Sequence, residues 1–303
     1  MIKKILSSVL ATMAVIAMAT TTVLANEYKL FINNPVGSSN DQVARKLSQI
    51  VKDQSGINLV VMNVTGGNGL VAATDFKKER LAATFTNTSV QAYLPIQLQE
   101  VPYRLEDFNI ISTMGVTGVV FFTRPKGQIQ NLDDLVKILP KLDKGSVAVA
   151  SADSSANAKA FLNAKNINVP VVNFKNHNDV VTQVIGGHAE VGVVPMTTDL
   201  VWSMADSGQV QILGAISGGP LVKDGKTYLS INQTFNIPAF YSGAWLAITP
   251  GNGKEQQDLK KALLDGLKDQ DLQVMMKRTW PLGNTVTLEE IINTANKNKN
   301  LLK

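Results

Sequence analysis

The stretch NNPVGSSNDQVARKL (residues 33–47) has the pattern of a strand end, a loop of small residues and the start of a helix. The apolar run at residues 30–32 predicts the strand, and Ser39 with Gln42 three residues later predicts a capping box. Because the first turn of a helix has free backbone N–H groups and a partial positive charge, this turn is suited to bind an anion. An ordinary capped turn that binds no ligand has the same pattern. The other loops of the chain are therefore needed to distinguish an anion-binding turn from a turn that only caps its helix.

Two further strands, predicted at residues 59–64 and 81–85, also end in small polar loops. These loops, at residues 65–69 and 86–89, are rich in Gly, Thr, Asn and Ser. The carboxyl ends of parallel strands share one edge of an α/β sheet, and ligands bind at that edge. We therefore expect these loops and the opening turn to line one binding site.

The same pattern of strand, small loop and helix begins again at residues 147–150, which are followed by the polar segment 151–155. Further strands are predicted at residues 169–174 and 191–194, and a helix opens at residues 195–198. The chain is therefore predicted to be an α/β protein with two lobes that face one another across a cleft. Each lobe would be a mixed, mostly parallel sheet flanked by helices.

The lobes are predicted to divide the chain unevenly. The first lobe would contain residues 26–123 and 244–303, and the second lobe residues 124–243. We expect the chain to pass between them near Thr123-Arg124-Pro125 and again at residues 239–243, which would form a hinge.

Residues 1–25 have the pattern of a secretory signal peptide. Lys3 and Lys4 precede an apolar stretch at residues 5–19, and Val23-Leu24-Ala25 is a small–x–small cleavage site. We therefore expect cleavage after Ala25 and a periplasmic protein. An uncleaved membrane anchor is the alternative, but the polar run at residues 20–22 makes the apolar stretch shorter than a membrane span.

Composition excludes several classes of function. The 303 residues include no cysteine, which removes thiol catalysis, cysteine-ligated metals and disulfide scaffolds. Without Lys3 and Lys4, the chain has 27 basic and 24 acidic residues. This weak net charge of +3 favours anionic ligands mildly. No basic block is interleaved with aromatic residues, so nucleic-acid binding is not expected.

Four segments carry a resemblance to a known family. They are GSSNDQVARKL (37–47), NVTGGNGLVAA (63–73), ASADSSANAKAFL (150–162) and the region 172–201 that begins VNFKNHNDVV. In this order they resemble conserved segments of the solute receptors of tripartite tricarboxylate transporters, known as Bug or TctC-type receptors. SGAWLAITPGNGKEQQDLKKAL (242–263) resembles the hinge-and-helix segment of the same family.

The resemblance implies a type II-like periplasmic-binding-protein fold, a clamshell, with no enzymatic activity, cofactor or metal. Such a receptor captures a small carboxylate or related organic solute and delivers it to two integral membrane permease subunits. We expect it to be a monomer. Val194 stands where an acidic residue is common in the family, which predicts a ligand without a cationic group.

The predicted cleft loops contain no Lys or Arg, so we expect backbone N–H groups and short polar side chains to bind the carboxylate. Asp41 has the second interpretation of stabilising its own helix start. The candidate ligand-binding residues are Ser38, Ser39, Asn40, Asp41, Thr65, Gly66, Gly67, Thr86, Asn87, Thr88, Ser154, Ser155, Asn157, Asn176, Met196 and Thr197.

Two other classes of function remain open on the sequence alone. A hydrolytic enzyme would need an activated base, but we expect His177 and His188, the only histidines, to lie at the surface. The chain also has no Gly-x-Ser-x-Gly, His-x-x-x-His or Walker motif, so we predict no catalytic residue. A ligand-sensing protein that docks on a signalling partner would have the same cleft as a receptor.

Overall fold

The computed structural model describes residues 27–66, 69–88, 103–104, 107–143, 145–284, 286–298 and 300. At residues 86–88 the description is of the backbone. The predicted signal peptide at residues 1–25 and the candidate Gly67 lie outside the described residues.

The described chain alternates strands with helices and builds two five-stranded sheets and one two-stranded sheet. The strands are β1 (Glu27–Ile32), β2 (Asn58–Asn63), β3 (Ala82–Thr88), β4 (Asn109–Thr117), β5 (Val119–Thr123), β6 (Val147–Val149), β7 (Val171–Asn173), β8 (Val191–Pro195), β9 (Gln211–Ile216), β10 (Leu221–Lys223), β11 (Lys226–Tyr228) and β12 (Ser242–Ile248). The helices are α1 (Ser39–Ser55), α2 (Leu70–Lys77), α3 (Leu132–Lys137), α4 (Ala152–Ala164), α5 (His177–Ile185), α6 (Asp199–Asp206), α7 (Ile231–Phe235), α8 (Lys254–Gly266), α9 (Gln270–Thr279) and α10 (Leu288–Lys297).

The first sheet has the strand order β2-β1-β3-β12-β4. Strands β1, β2 and β3 are parallel, and β12 lies antiparallel between β3 and β4. Helix α1 covers this sheet because Val43, Leu47 and Ile50 recur at helical spacing and form one apolar face. That face packs in a core cluster with Leu246 of β12.

Strand β3 is longer than predicted. The sequence predicts that the strand ends at residue 85 and that Thr86, Asn87 and Thr88 form a loop, and this prediction is wrong. The strand continues to Thr88 because β12 pairs with it as far as Gly243, which lies opposite Thr88. The pairing partner is far along the chain, so no local pattern reveals it.

The second sheet has the strand order β7-β6-β8-β5-β9. Strands β6, β7 and β8 are parallel, and β5 is antiparallel to both of its neighbours, β8 and β9. The predicted fold class is therefore confirmed: the protein is an α/β protein with two lobes, each a mixed sheet flanked by helices.

The first passage between the sheets lies earlier than predicted. Strand β5 belongs to the second sheet, so the predicted passage near Thr123 is wrong and the chain crosses at Gly118, between β4 and β5. A Cβ atom at Gly118 would lie 1.8 Å from the backbone oxygen of Ile216. Only glycine fits this crossing, because backbone atoms cannot move aside as a flexible side chain can.

The second passage ends at Ser242, where β12 begins and returns the chain to the first sheet. The last helix, α10, does not belong to the first lobe alone as predicted. Its buried residue Ile291 packs in a cluster that contains Val119 and Ile216 of the second sheet and Trp245 of the first. The C-terminal helix therefore joins the two lobes.

Among the described residues, no helix has the length and apolar character needed to cross a membrane.

The packing of the second sheet predicts a strong effect of one methyl group. A Cβ atom at Gly192 of β8 would lie 2.2 Å from the Cζ atom of Phe122, which is fully buried in β5. We expect Gly192→Ala to lower the free energy of unfolding by about 1–3 kcal/mol, since overpacking forces the ring from its position. Urea denaturation measures the change.

Gly219→Ala is the matched control, because a Cβ atom there has no neighbour within 4 Å. We expect its free energy of unfolding to stay within about 0.5 kcal/mol of wild type. Equal stability of the two variants would contradict the packing account.

Candidate ligand-binding site

A cavity of about 510 Å³ lies between the two sheets, and this volume is typical of a small-molecule site. Its wall is built by the segments that follow five parallel strands, β1, β2, β6, β7 and β8. The convergence of these carboxyl ends agrees with the placement expected for a ligand site in open α/β sheets.

The first sheet contributes small and polar residues to the wall. They come from the loop after β1, the first turn of α1 and the loop after β2, and they are Asn33, Asn34, Ser39, Asn40, Gly66 and Gly69. Three of the candidates, Ser39, Asn40 and Gly66, are therefore in the wall. Thr65 is exposed and is not among the described wall residues.

The start of α1 differs by one residue from the prediction. Ser38, not Ser39, is the N-cap, and its Oγ accepts a hydrogen bond from the Asp41 N–H at 3.3 Å. Gln42 does not close a capping box, because its Nε2 donates to the backbone oxygen of Gly37. The shift turns Ser39 toward the cavity and gives Ser38 a structural role.

Asp41 joins the two first-lobe loops from behind the wall. Its carboxylate accepts hydrogen bonds from Gly37 N at 2.8 Å, Asn63 Nδ2 at 2.9 Å and Arg45 Nε at 3.0 Å. Asn63 Nδ2 also donates to the backbone oxygen of Asn34, a wall residue. Asp41 is thus a bracing residue rather than a wall residue, which agrees with its second interpretation.

The charge of Asp41 is maintained by these bonds. Burial alone raises the pKa of its carboxyl group, but the hydrogen bonds from Arg45, Gly37 and Asn63 outweigh burial and hold the pKa below its ordinary value. The ionised carboxylate is therefore the form that the folded protein stabilises.

The second sheet contributes Ser151, Asp153, His177, Pro195 and Thr197 to the wall. Thr197 was predicted, and the other four were not predicted as ligand-binding residues. Helix α4 begins at Ala152 with Ser151 as its N-cap, so the predicted loop at residues 151–155 is wrong. The early start places Asp153 in the first turn of α4 and in the wall.

The remaining α4 candidates lie behind the wall. Ser154 is fully buried, and its hydroxyl accepts a hydrogen bond from Ser151 Oγ at 3.0 Å. Asn157 is also fully buried and bonds both backbone groups of the wall residue Phe240, with Oδ1 accepting from N at 3.0 Å and Nδ2 donating to O at 2.8 Å. Ser155 is not among the described wall residues. Ser154 and Asn157 therefore position the wall, contrary to the prediction that they form it.

Two candidates in the second lobe serve other elements. Asn176 is exposed and is the N-cap of α5, where its Oδ1 accepts a hydrogen bond from Asp179 N at 2.9 Å. Met196 is buried in a core cluster, and its backbone oxygen accepts from Trp202 Nε1 at 2.6 Å. Neither side chain belongs to the described wall.

The passages between the lobes complete the wall. Thr117, Gly118 and Val119 come from the first passage, and Phe240 and Ser242 from the second. Thr279 and Trp280 at the end of α9 also line the cavity. Phe240 and Trp280 are nearly fully buried, so they present little surface to the cavity themselves.

His177 lies in the wall, so the prediction that it lies at the protein surface is wrong. It is the first residue of α5, directly after the N-cap Asn176, and this position at the end of a strand was the sequence signal for it. Its Nε2 atom is buried with no hydrogen-bond partner among the described residues. Burial lowers the pKa of the imidazole below its ordinary value, which favours the neutral ring.

The charge in the described wall is carried by Asp153, which is 7% exposed. None of the described wall residues is Lys or Arg. The described residues also contain no group of three or more His, Cys, Asp or Glu that could hold a metal ion.

Ser151, Asp153 and His177 are the residue types of a hydrolytic triad, but their bonds do not form one. The Ser151 hydroxyl donates to Ser154, and His177 Nε2 has no partner among the described residues. A nucleophilic serine needs a hydrogen bond to its base, and this bond is absent between the two described side chains.

The bracing role of Asp41 predicts a loss of stability in Asp41→Asn. The variant keeps the shape of the side chain but removes its charge and one acceptor, so we expect the free energy of unfolding to fall by about 1–3 kcal/mol at pH 7. Because the folded-state pKa is lowered, the stabilisation is present above the ordinary pKa of 3.8 and disappears as the pH falls through the folded value. Denaturation at several pH values measures both effects.

Asp53→Asn is the control, since Asp53 is exposed in the last turn of the same helix. We expect its stability to match wild type at each pH. A difference between wild type and Asp41→Asn that stays constant down to acidic pH would contradict the role of the charge.

Comparison with known proteins supports the resemblance found in the sequence. No protein-family model matches the chain. A curated relative, BugT of Bordetella pertussis, is 24% identical over 244 residues, which cover 76% of this chain and 72% of the relative.

Solved structures share the fold over most of the chain. A TctC solute-binding protein from Polaromonas has a TM-score of 0.67 at 17% identity and covers 85% of this chain and 90% of its own. The periplasmic binding protein BugD has a TM-score of 0.66 at 19% identity, with coverage of 91% and 94%. MatC from Rhodopseudomonas palustris with bound malate has a TM-score of 0.64 at 14% identity, with coverage of 92% and 100%. The chain is similar in sequence to BugT and similar in fold to TctC and BugD. It therefore resembles the Bug and TctC-type receptors of tripartite tricarboxylate transporters.

Proposed function

We propose that this protein is a periplasmic solute-binding receptor of the Bug or TctC type. It captures a small organic acid in the cavity between its lobes and delivers the acid to the two membrane subunits of a tripartite tricarboxylate-type transporter. In this proposal Gly118 and the segment before Ser242 act as the hinge between the lobes.

One observation carries the proposal: the carboxyl ends of parallel strands from both sheets meet at a single cavity of about 510 Å³. The first turns of α1, α4 and α5 supply wall residues there, namely Ser39, Asp153 and His177. Such a cavity suits a small polar molecule that is enclosed from two sides.

The first lobe offers the better place for a carboxylate. Ser39 and Asn40 lie in the first turn of α1, where free backbone N–H groups and the helix dipole favour an anion. One helix start contributes about 0.3–2 kcal/mol to such binding. Asp41, the acid of this turn, is paired with Arg45 and bonded to Asn63, and it is not among the described wall residues, so its charge is balanced by a cation outside the wall.

The relatives support the chemical class and the location. BugD is a periplasmic binding protein, and MatC binds malate, a small carboxylate. These proteins are binding proteins rather than enzymes, which supports the prediction that this chain is not an enzyme. We infer the same compartment here, which the signal-peptide pattern of residues 1–25 also favours.

The proposal predicts stabilisation by a small acid. In thermal denaturation with malate, succinate, citrate, aspartate and glutamate, we expect at least one acid to raise the melting temperature. Ligand at a hundred times its dissociation constant adds about 2.7 kcal/mol of stability. Ser39→Trp should abolish the shift, because Ser39 is exposed and lines the cavity, so a large ring blocks the site without disturbing the core.

Ser203→Trp is the control, since Ser203 is exposed on α6 and is not among the described wall residues. It should respond to the acid as wild type does. Recovery of a chemically altered acid after incubation would indicate an enzyme. An uptake assay in cells that lack the protein separates delivery from sensing: a receptor is required for uptake of the acid, and a sensor is not.

A further inference from the structure

We propose that His177 contacts the ligand, and that its imidazole completes its hydrogen bonds with an oxygen atom of the bound acid. The inference rests on the proposed function, because it concerns the same cavity. It adds a specific side-chain contact on the second-lobe side, where the proposed function names only the cavity wall.

His177 has a polar atom whose bonding is incomplete within the described part of the chain. The residue lines the cavity, and its Nε2 atom is buried without a hydrogen-bond partner among the described residues. Most buried polar atoms in folded proteins are bonded, so an exception needs a physical reason. Folding removes water from this nitrogen and supplies no described partner in its place, which costs stability. A ligand that provides the partner is the reason favoured by the position of His177 in the cavity wall.

The start of α5 holds His177 at the wall without bonding its ring. The preceding residue, Asn176, accepts a hydrogen bond from Asp179 N through Oδ1, and its Nδ2 donates to the Asp179 carboxylate, both at 2.9 Å. These bonds connect the cap to the first turn of the helix. Val180 and Val184 are fully buried in a core cluster of the second lobe and fix the position of α5. The backbone of His177 is therefore set in place independently of its imidazole.

The chemistry of the ring suits an acid. A neutral imidazole has one N–H donor and one nitrogen acceptor, and burial favours this neutral form. The N–H can donate to a carboxylate or hydroxyl oxygen of the ligand without bringing a full charge into the cavity. Nε2 is buried in this structure, so the contact requires a turn of the ring. The torsion between Cβ and the imidazole has broad energy wells, so the ring can make this turn while α5 stays in place.

Two measurements on one variant separate a ligand contact from a structural role. His177→Phe keeps a planar ring and removes both nitrogens. Because an unpaired buried nitrogen costs stability, we expect the midpoint of urea denaturation without ligand to rise above that of wild type. We expect calorimetry to show a loss of affinity of about fivefold or more, the value of one neutral hydrogen bond. The probe is the acid among malate, succinate, citrate, aspartate and glutamate that stabilises wild type most.

Two further variants exclude a simple blocking of the cavity by the larger ring. His177→Ala cannot block the cavity, and it should lose affinity as His177→Phe does. His177→Gln carries an N–H donor on its side-chain amide, so it should bind the acid more tightly than His177→Ala. The matched control is His188→Phe, since His188 is exposed three residues after the end of α5 and is not among the described wall residues. It should bind the acid as wild type does.

The outcomes distinguish this inference from the receptor function. Wild-type affinity in His177→Ala would overturn the inference and leave the receptor function standing. A lower denaturation midpoint for His177→Phe would show that the imidazole supports the fold, and would also overturn the inference. Failure of all five acids to bind wild type would overturn the proposed function and this inference with it.

Discussion

The carboxylate of Asp41 connects the three segments on which the first-lobe side of the cavity depends. It accepts hydrogen bonds from the loop after β1 through Gly37, from α1 through Arg45 and from the end of β2 through Asn63. Arg45 also donates to Asn63 at 3.0 Å, so the network closes on itself. A buried charge is stable only when its hydrogen bonds are satisfied, and here they fix the spacing of the two loops.

This network gives a physical account of the resemblance to the Bug and TctC receptors. Gly37, Asp41, Arg45 and Asn63 lie in the first two segments that carry the resemblance, and each of them takes part in the bracing. Ser39 and Asn40 lie in the first of these segments too, but they line the cavity and take no part in the bonds of Asp41. The resemblance at residues 37–47 therefore covers bracing and wall residues alike.

Local patterns predicted the elements that depend on local chemistry. Helix α1 was predicted from the opening stretch at residues 33–47, and the structure contains it at Ser39–Ser55. Helix α10 begins with a capping box of Thr287 and Glu290, a signal that neighbouring residues supply in the same way. The alternation of strands and helices also predicted the two-lobed fold. Such signals need a few neighbouring residues and no knowledge of distant contacts.

The errors come from distant contacts and from helix starts displaced by a few residues. The extension of β3 to Thr88 depends on β12, and the crossing at Gly118 depends on the place where β5 pairs with β8 and β9. At α4, Ser151 followed by Ser154 was a capping pattern that could have placed the helix start and so brought Asp153 into the wall. Each shift of a helix start changes which side chains face the cavity, which is why the fold was easier to predict than the site.

The two bonds between Asn157 and the backbone of Phe240 have a mechanical consequence. They tie the second connecting segment to α4, so in the proposed hinge motion Phe240 would move with the second lobe. The proposed hinge would then bend in the short stretch between Phe240 and Ser242 and beside Gly118. Both of these places border the cavity, so a ligand bound there would lie close to the pivot rather than at the tips of the lobes.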